Sequence, residues 1–331
     1  MTTVTDPPQK VWASLITNLH YLPGLLTLAH SLHQTNTAYP FLALYTTSLP
    51  EEGIAALRAR GIPSRLVPTI TPAGTCTHEH DPRFAEAWKK LIVFSLEDYA
   101  RIVLLDSDML VRQNMDELME LPLDGETQIL AASHACACNP LKKPHYPSDC
   151  SPYPSYQFDR SNHPIPIPAT LTRNVGRTPQ NCAYTAQRPF PDTAQTTGPD
   201  ATAGVAMLNS GLLVVQPRQT DFVAVQTALR DTNRVKGYAL ADQELLSNVF
   251  RGRWRPLPYV YNALKPMRGV EGTHADLWRD GAVKNVHFIF AVKPWQMDRE
   301  REEGDELVRW WWAVDDERRR GERARGVVDG Y

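Results

Sequence analysis

The sequence has little of what a nucleic-acid-binding protein or a membrane protein requires. Its 331 residues carry a formal net charge of −2, and a pI of about 6.6 leaves no basic excess for a phosphate backbone. No apolar run reaches the roughly 18 residues of a membrane span. Residues 1–10 are polar and lack the apolar core of a signal peptide. These absences predict a cytoplasmic protein with no membrane span and no nucleic acid partner.

Cysteine is scarce as well. An odd number of cysteines argues against a complete disulfide framework, and reduced thiols fit a cytosolic protein. The five are Cys76, Cys136, Cys138, Cys150 and Cys182. All but the first lie in or beside residues 134–203, where together with His145 they could form a zinc site. However, a Cys-x-Cys pair followed by irregular spacing matches no common zinc motif, so the pattern favours free buried thiols.

The first third of the chain alternates short apolar runs with amphipathic stretches. Strands are predicted at 11–17, 41–45, 65–67 and 101–105, and helices at 22–33, 50–61 and 81–99. In the last of these helices, Lys89 and Lys90 fall off the apolar face. This order of strands and helices is typical of a parallel, doubly wound sheet. No Gly-x-Gly-x-x-Gly follows the first strand, which excludes the usual dinucleotide-binding fingerprint.

The rest of the chain continues this pattern around a proline-rich interruption. Of the 27 prolines, 12 lie between residues 140 and 199, so 134–203 is predicted as an insertion without long helices or central strands. Further extended segments are expected at 128–132, 207–215, 254–262 and 283–290, and helices at 114–120, 217–230 and from 240. Residues 298–331 are predicted as a charged, solvated helical tail whose tryptophans pack on the core. The whole of 1–331 is predicted to form one domain.

One pair of acidic residues stands directly after a buried strand. Asp106 and Asp108 follow the apolar run 101–105, and a strand buried on both faces leaves no water for their charges. We therefore expect the pair at the carboxyl edge of the sheet, where open α/β proteins bind ligands. Two carboxylates there suit a hard divalent cation, and such a cation suits a diphosphate. Alternatively, Asp-Ser-Asp is a solvated turn that caps the next segment of the chain.

Seven short segments occur in a fixed order along the chain: Leu15-Ile16-Thr17-Asn18 with Tyr21; Lys90-Leu91; Leu105-Asp106-Ser107-Asp108; Leu208-Asn209-Ser210-Gly211; Asp242-Gln243; Leu257-Pro258-Tyr259-Val260-Tyr261-Asn262; and His287-Phe288 with Lys293-Pro294-Trp295. In these segments the chain resembles glycosyltransferase family 8, the retaining nucleotide-sugar transferases that include glycogenin and galactinol synthase. The resemblance covers most of residues 11–295, apart from the insertion. It implies a GT-A-type, Rossmann-like single α/β domain with a mostly parallel central sheet flanked by helices.

The resemblance also implies roles for individual residues. Asp106, Asp108 and His287 would hold Mn²⁺ (or Mg²⁺), which would bridge the phosphates of UDP-glucose or UDP-galactose. The implied catalytic residues are Asp242 and Gln243, and we expect Asp242 to be exposed, with an ordinary pKa. The residues implied in donor binding are Leu15, Thr17, Asn18, Tyr21, Arg83, Lys90, Asp106, Ser107, Asp108, Asn209, Ser210, Gly211 and Lys293.

The implied reaction transfers a hexose to a hydroxyl group of a small polyol or carbohydrate acceptor, with retention of the anomeric configuration. In a double displacement, Asp242 would attack the sugar as a nucleophile. In the alternative, the acceptor attacks from the face that UDP leaves, and Asp242 or Gln243 stabilises the developing positive charge. The sequence leaves both routes open, and it is compatible with a homodimer.

Two departures from the family's pattern bear on the substrates. Where the family often has a glycine between His287 and Lys293, this chain has Ile289 and Phe290, so a bulky side chain is expected near the donor. Residues 263–280 contain no tyrosine, which argues against the self-glucosylation of glycogenin. The insertion with its Cys-x-Cys pair is more similar to the galactinol synthases, which transfer galactose to myo-inositol.

Two other functions fit parts of the pattern. An apolar run ending in Asp-x-Asp also occurs in phosphatases of the haloacid dehalogenase type, where it usually ends the first strand. Here three βα units precede it. A catalytically idle nucleotide-sugar-binding protein would share the fold, although the retained Asp106, Asp108, His287 and Lys293 argue against it.

Overall fold

A computed structural model of the protein describes residues 9–74, 83–138, 156–158, 164–166, 182–269, 274–301 and 304–331. In chain order, strands β1 to β12 are Gln9–Ile16, Phe41–Tyr45, Ser64–Leu66, Tyr99–Leu105, Met109–Val111, Leu130–Ser133, Tyr156–Phe158, Pro164–Pro166, Leu212–Val215, Trp254–Leu257, Ala263–Leu264 and Asn285–His287. Helices α1 to α7 are Leu22–Gln34, Glu51–Ala59, Phe84–Ala87, Gln219–Arg230, Thr232–Val235, Asp242–Val249 and Glu306–Ala324. Short 3₁₀ helices are Leu19–Tyr21, Trp88–Ser95, Asp116–Met119, Ala183–Gln187, Thr193–Gln195, Tyr259–Tyr261, Lys265–Arg268 and Pro294–Gln296.

The described strands form a central seven-stranded sheet in the order β10-β6-β9-β4-β1-β2-β3. All neighbouring pairs are parallel except the two that β9 makes, with β4 and with β6. A smaller sheet has the order β11-β12-β5, and β7 pairs with β8 alone. The predicted α/β fold, with a mostly parallel sheet flanked by helices, is confirmed. The four strands expected to be parallel, β1 to β4, are parallel neighbours, and the antiparallel β9 lies next to them on the far side of β4.

The core lies on both faces of this sheet. Along β1, Val11 and Ala13 pack in the layer that contains α4 and α6, whereas Trp12 packs in the layer under α1. The same alternation holds along β4, where Ile102 and Val103 face opposite layers. Because both faces are buried, these strands appear in the sequence as continuous apolar runs rather than as alternating ones.

The segment predicted as one helix over 81–99 is different in the structure. A single turn, α3, continues as a 3₁₀ helix, and β4 already begins at Tyr99. The prediction that Lys89 and Lys90 lie off the buried face was wrong, because both are buried. Lys90 contacts Asp106 and Lys89 contacts Glu86, so both ammonium groups have an ion-pair partner.

Three predicted extended segments are shorter than expected. Of 254–262, only β10 is a strand, and a 3₁₀ helix follows it at Tyr259–Tyr261. Of the run 207–215, only β9 is a strand, because the Asn209 side chain accepts a hydrogen bond from the Gly211 N–H (3.0 Å) and turns the chain. Of the run 283–290, only β12 is a strand, and it belongs to the smaller sheet. The segment predicted as a helix over 114–120 is a 3₁₀ turn.

The predicted proline-rich insertion is described only at its two ends and in the β7–β8 pair. Cys76, His145 and Cys150 lie outside the described residues. Within the described part of the chain, no helix combines the length and the apolar character that crossing a bilayer demands. That the whole chain forms one domain with an insertion at 134–203 stays a prediction.

Helix α7 packs against the core more closely than a solvated tail would. Trp311 and Trp312 are buried, as predicted, but so are three charged residues on the same helix. Arg318 donates to Asp315 (2.6 Å) and to Glu322 (2.7 Å). The prediction of a solvated polar face therefore holds for exposed residues such as Arg320 and was wrong for these three, which are buried in ion pairs.

We expect Arg318→Met to destabilise the fold. Asp315 keeps Arg319 and Glu322 keeps Arg60 as partners, so the substitution removes one of two cations from each carboxylate. We expect a cost of about 1.5–3 kcal/mol, the range for hydrogen bonds to charged groups. The measurement is the free energy of unfolding in urea. The exposed Arg320→Met on the same helix is the matched control and should change it by less than about 0.5 kcal/mol. Equal effects of the two substitutions would contradict a stabilising role for the buried cluster.

Candidate active site

A cleft of about 580 Å³ opens at the carboxyl ends of β1 and β4. It brings together segments that are far apart in the sequence. All of the residues predicted for donor binding, metal binding and catalysis line it, apart from Lys293. Lys293 is buried directly beneath, with its ammonium group 2.5 Å from Asp108. The structure thus places the predicted residues in one site, while their individual roles stay predictions.

The reversed direction of β9 brings the Asn-Ser-Gly segment to the acidic pair. In the antiparallel register Leu105 pairs with Leu212, so the residue after β4 lies beside the residue before β9. The Asp106 N–H donates to the Gly211 carbonyl at 2.8 Å and continues this ladder. A parallel β9 would have placed Asn-Ser-Gly at the opposite edge of the sheet.

The smaller sheet brings His287 to the same place. Strand β12 runs antiparallel to β5, and His287 pairs with Met109. The next backbone N–H, of Phe288, donates to the Asp108 carbonyl at 2.9 Å. The imidazole is therefore beside the acidic pair, although it is almost 180 positions away in the sequence.

Two carboxylates and one imidazole form a cluster that could hold a divalent cation. One oxygen each of Asp106 and Asp108 and one nitrogen of His287 lie within 4.8 Å of one another. The imidazole Nε2 is 3.2 Å from the Asp108 carboxylate and 3.9 Å from that of Asp106. Two hard oxygen ligands and a nitrogen ligand, aimed at a common point, suit a cation such as Mn²⁺.

A hydrogen-bonded chain determines which nitrogen of His287 faces this point. The backbone N–H of Gly211 can only donate, so the Asn209 Oδ1 that it contacts accepts. The Asn262 Nδ2 also donates to that oxygen (2.8 Å), which leaves the Asn262 Oδ1 to accept from His287 Nδ1 (2.9 Å). The proton of a neutral imidazole is therefore on Nδ1, and Nε2 presents its lone pair to the carboxylates, as metal-ligating histidines require.

Lysine charges surround the acidic pair. Burial by itself would raise the pKa of the Asp108 carboxyl, but the adjacent Lys293 ammonium outweighs burial and holds that pKa well below its usual range. Burial lowers the pKa of Lys293, and the Asp108 carboxylate opposes that effect. The Lys293 ammonium also donates to the Phe288 carbonyl (2.7 Å) and lies 5.9 Å from the centre of the Tyr21 ring. Asp108 is thus held ionised in a buried place.

Lys90 joins the acidic pair to the predicted catalytic carboxylate. Its ammonium is 3.0 Å from Asp106 and 3.3 Å from Asp242, and it donates to the Ser210 carbonyl. Burial would lower the pKa of Lys90, but the two carboxylates outweigh it and raise that pKa. A single buried cation therefore links both acids.

The expectation that Asp242 is exposed and has an ordinary pKa was wrong. Its side chain is 2% exposed, and burial raises the pKa of the carboxyl against the attraction of Lys90. Asp242 is the first residue of α6, where an acid is favourable at the positive end of the helix. The preceding Ala241 has φ of 48°, a strained conformation for a residue with a Cβ. The fold holds this carboxylate in the cleft at the cost of that strain.

Some residues of the site had no predicted role. Asn262 ends a segment that carries the family resemblance, and its amide orients His287, which only the hydrogen-bonded chain reveals. Ile289 and Phe290 line the cleft, as the departure from the family's glycine predicted. The Phe290 carbonyl accepts from Arg83 at 3.1 Å, so this segment closes over the predicted donor side.

The fold is that of GT-A-type glycosyltransferases. Among solved structures, the galactosyltransferase LgtC in complex with donor and acceptor sugar analogs is similar, with a TM-score of 0.55 at 14% identity over 93% of this chain and 95% of that one. Longer glycosyltransferases are similar over part of their length, and the chain spans 52% of bifunctional WbbM (TM-score 0.51, 16% identity, 95% of this chain). At these identities the likeness concerns the fold alone.

Sequence comparison identifies the family to which the chain belongs within this fold. The model of glycosyl transferase family 8 matches residues 13–299, and the chain belongs to that family, as predicted. It is 26% identical to galactinol synthase 1 of Arabidopsis thaliana over 98% of this chain and 84% of the relative. It is 25% identical to glycogenin of Neurospora crassa over 95% of this chain and 36% of that longer protein. The phosphatase alternative is thereby excluded.

We expect Gly211→Ala to displace His287 and weaken cation binding. A Cβ at this position would lie 2.3 Å from the imidazole Cε1 and 2.7 Å from Nδ1, so the ring would have to move. We expect a loss of about 10- to 100-fold in Mn²⁺ affinity, the usual effect of disturbing the support of a metal-ligating histidine. Isothermal titration with Mn²⁺ measures it.

The control is Gly281→Ala, because a Cβ there meets no atom within 4 Å and the position is exposed. Its Mn²⁺ affinity should equal that of the unaltered protein. A Gly211→Ala variant that binds Mn²⁺ with unchanged affinity would show that His287 is not a ligand.

Proposed function

We propose that the protein is a retaining, metal-dependent hexosyltransferase that moves glucose or galactose from a UDP-sugar to a hydroxyl group of a small polyol or carbohydrate. The observation that carries the proposal is the meeting of Asp106, Asp108 and His287 in a cleft that Lys90 also lines, with Lys293 buried beneath it. Such a cleft suits a ligand that binds through a cation and carries negative charge itself. A nucleotide sugar has this character.

The three ligands fit Mn²⁺ (or Mg²⁺) by their chemistry and by the orientation of the imidazole. When bound, such a cation supplies Lewis-acid stabilisation to the diphosphate that leaves. Lys293 contributes a fixed positive charge next to Asp108, and Lys90 contributes another beside Asp106. Because both lysines are buried in ion pairs, they hold the carboxylates in place before any ligand arrives.

The part of the cleft beside the end of β1 is proposed to hold the uridine. Thr17 and Asn18 directly follow β1, and the Tyr21 ring lies 5.9 Å from Trp295 in an edge-to-face arrangement. A polar turn with an aromatic wall can hydrogen-bond and stack against a base. Arg83 lies on the same side and supplies a further positive charge for the donor.

The contacts of Asp242 support an electrostatic role. A nucleophile in a double displacement needs a carboxylate free to form a bond, whereas this one lies 3.3 Å from the Lys90 ammonium and is buried. In the proposed reaction the acceptor oxygen bonds to the anomeric carbon as the bond to UDP breaks on the same face. The acceptor's proton passes to the departing phosphate oxygen. Asp242 stabilises the positive charge that develops on the sugar, and Gln243 lies next to it.

Two observations support the proposed acceptor. The plant relatives are named galactinol synthases, which favours UDP-galactose and a polyol acceptor. Residues 140–200 are proposed to form a wall of the acceptor site. Ala135, Cys136 and Cys138, which lead into that segment, already line the cleft.

A cytoplasmic location belongs to the same proposal, supported by three described cysteines that form no disulfide.

A catalytically idle sugar-nucleotide binder is the alternative. It would have no need of a buried Lys90 shared between the acidic pair and Asp242, yet that contact is present. Turnover separates the two functions directly. Donor binding with no sugar released to any acceptor or to water would establish the idle binder.

We expect Asp108→Asn to lower turnover by about 100-fold or more, because losing a metal ligand removes several kcal/mol of stabilisation from the leaving diphosphate. The fold should survive, as judged by circular dichroism. Excess EDTA should abolish activity of the unaltered protein, and Mn²⁺ should restore it. The exposed Asp192→Asn is the control and should keep full activity. Full activity of Asp108→Asn, or full activity in EDTA, would refute metal dependence.

We expect Asp242→Ala to lose about 100-fold or more in kcat, in line with removal of an electrostatic stabiliser. Adding azide should not restore turnover, because no covalent intermediate is expected. A glycosyl azide of inverted configuration, formed only by the variant, would instead establish Asp242 as the nucleophile of a double displacement.

The substrates are tested by a screen of donors against acceptors. UDP-glucose and UDP-galactose are each incubated with polyols, including myo-inositol, and with simple sugars, and the product is examined by NMR. We expect a galactoside with the anomeric configuration of the donor. An inverted product, or a donor other than a UDP-hexose, would overturn the proposal.

A further inference from the structure

A second cluster of metal-binding side chains lies at the rim of the cleft, outside the acidic site. It consists of Cys136, Cys138, Cys182 and His274, with one ligand atom from each within 4.8 Å of all the others. Cys182 and His274 are fully buried, and the other two are half-buried. These are soft sulfur ligands with one imidazole, unlike the hard oxygens around Asp108.

The distances match a tetrahedral ion and not a disulfide. The Cys182 and Cys136 sulfurs are 3.9 Å apart, and His274 Nε2 lies 3.2 Å from Cys182 and 3.4 Å from Cys138. Zinc bonds of about 2.3 Å to sulfur and about 2.0 Å to nitrogen, at tetrahedral angles, place sulfurs roughly 3.8 Å apart and sulfur and nitrogen roughly 3.5 Å apart. The three cysteines are free thiols.

The environment of the cluster is that of a closed structural site. The backbone N–H of Ala137 points at the Cys182 sulfur at 3.4 Å, a contact common around zinc thiolates. The buried Tyr184 ring packs edge-on against His274 at 5.7 Å, and its hydroxyl donates to the His134 carbonyl. Four protein ligands complete the coordination of zinc and leave no position for a substrate.

We propose that Cys136, Cys138, Cys182 and His274 bind one structural Zn²⁺ ion. Zinc accepts three thiolates and an imidazole in tetrahedral geometry, whereas Mn²⁺ and Mg²⁺ prefer oxygen ligands. The zinc alternative considered from the sequence named His145 as its histidine and missed His274, which lies 92 positions beyond Cys182, so the sequence favoured free thiols. The proposal is independent of the proposed function, since no substrate is involved.

The ion would join three parts of the chain. Cys138 and Cys182 lie at the two ends of 139–181, and His274 follows the 3₁₀ helix Lys265–Arg268. Closing a long loop at its base restricts the unfolded chain and fixes both ends of the insertion. Cys136 and Cys138 line the cleft, so the ion would also fix the wall on the predicted acceptor side.

The test is the metal content of the full-length protein. The chain is purified without a metal-affinity tag, supplied with zinc, washed with dilute EDTA and measured by inductively coupled plasma mass spectrometry. We expect one zinc per chain. X-ray absorption at the zinc edge should report three sulfur ligands at about 2.3 Å and one nitrogen at about 2.0 Å. These two measurements use the unaltered protein, so they hold even where a variant fails to fold.

Variants then identify the ligands. Cys182→Ser and His274→Asn should each lose zinc and lower the melting temperature, whereas Cys76→Ser and Cys150→Ser should keep one equivalent. Asp108→Asn should also keep it, which separates this site from the acidic one. The proposal would be overturned if the protein bound no zinc, or if it bound iron or copper instead of zinc. A disulfide between Cys136 and Cys182 found by mass spectrometry, or retention of zinc in Cys182→Ser, would also overturn it.

Discussion

The site depends on burying charges of opposite sign together. Asp108 and Asp242 lie in places where a lone carboxylate would be too costly, and each has a buried ammonium group beside it. Lys90 and Lys293 would be equally unfavourable without these acids. The consequence is a rigid set of fixed charges at the edge of the sheet. Such a set can act on a charged ligand without first rearranging, which is how preorganised sites stabilise developing charge.

The backbone must bring this set together, and it does so with two antiparallel pairings in a mostly parallel fold. The β4–β9 pair places Gly211 beside Asp106, and the β5–β12 pair places His287 beside Asp108. The imidazole then packs against a glycine because no Cβ would fit. Asn262 reaches the same ring from another segment and sets its tautomer. The geometry of the acidic cluster therefore depends on the direction of the strands as much as on the side chains.

The two candidate metal sites share one cleft but differ in chemistry. The acidic cluster offers oxygen ligands and an imidazole that face the open space, whereas the cysteine cluster is closed by four protein ligands. Thiolate ligands favour zinc at the second site, whereas the oxygen and nitrogen ligands of the first accept a harder cation such as Mn²⁺. One would act on the donor, and the other would hold the segment that leads into the insertion.

The sequence by itself determined the elements whose signals are local. Buried strands such as β4 are continuous apolar runs, and the acidic pair at the end of β4 had to lie at the sheet edge, because charges cannot follow a buried strand into the core. The ordered segments also identified the family and most residues of the cleft. Only the tertiary structure decided the direction of β9, the burial of Lys90 and Asp242, the role of Asn262 and the partnership of His274 with three cysteines. Each of these depends on contacts between residues far apart in the chain, and neither local propensity nor spacing encodes which distant group will neutralise a charge or complete a coordination shell.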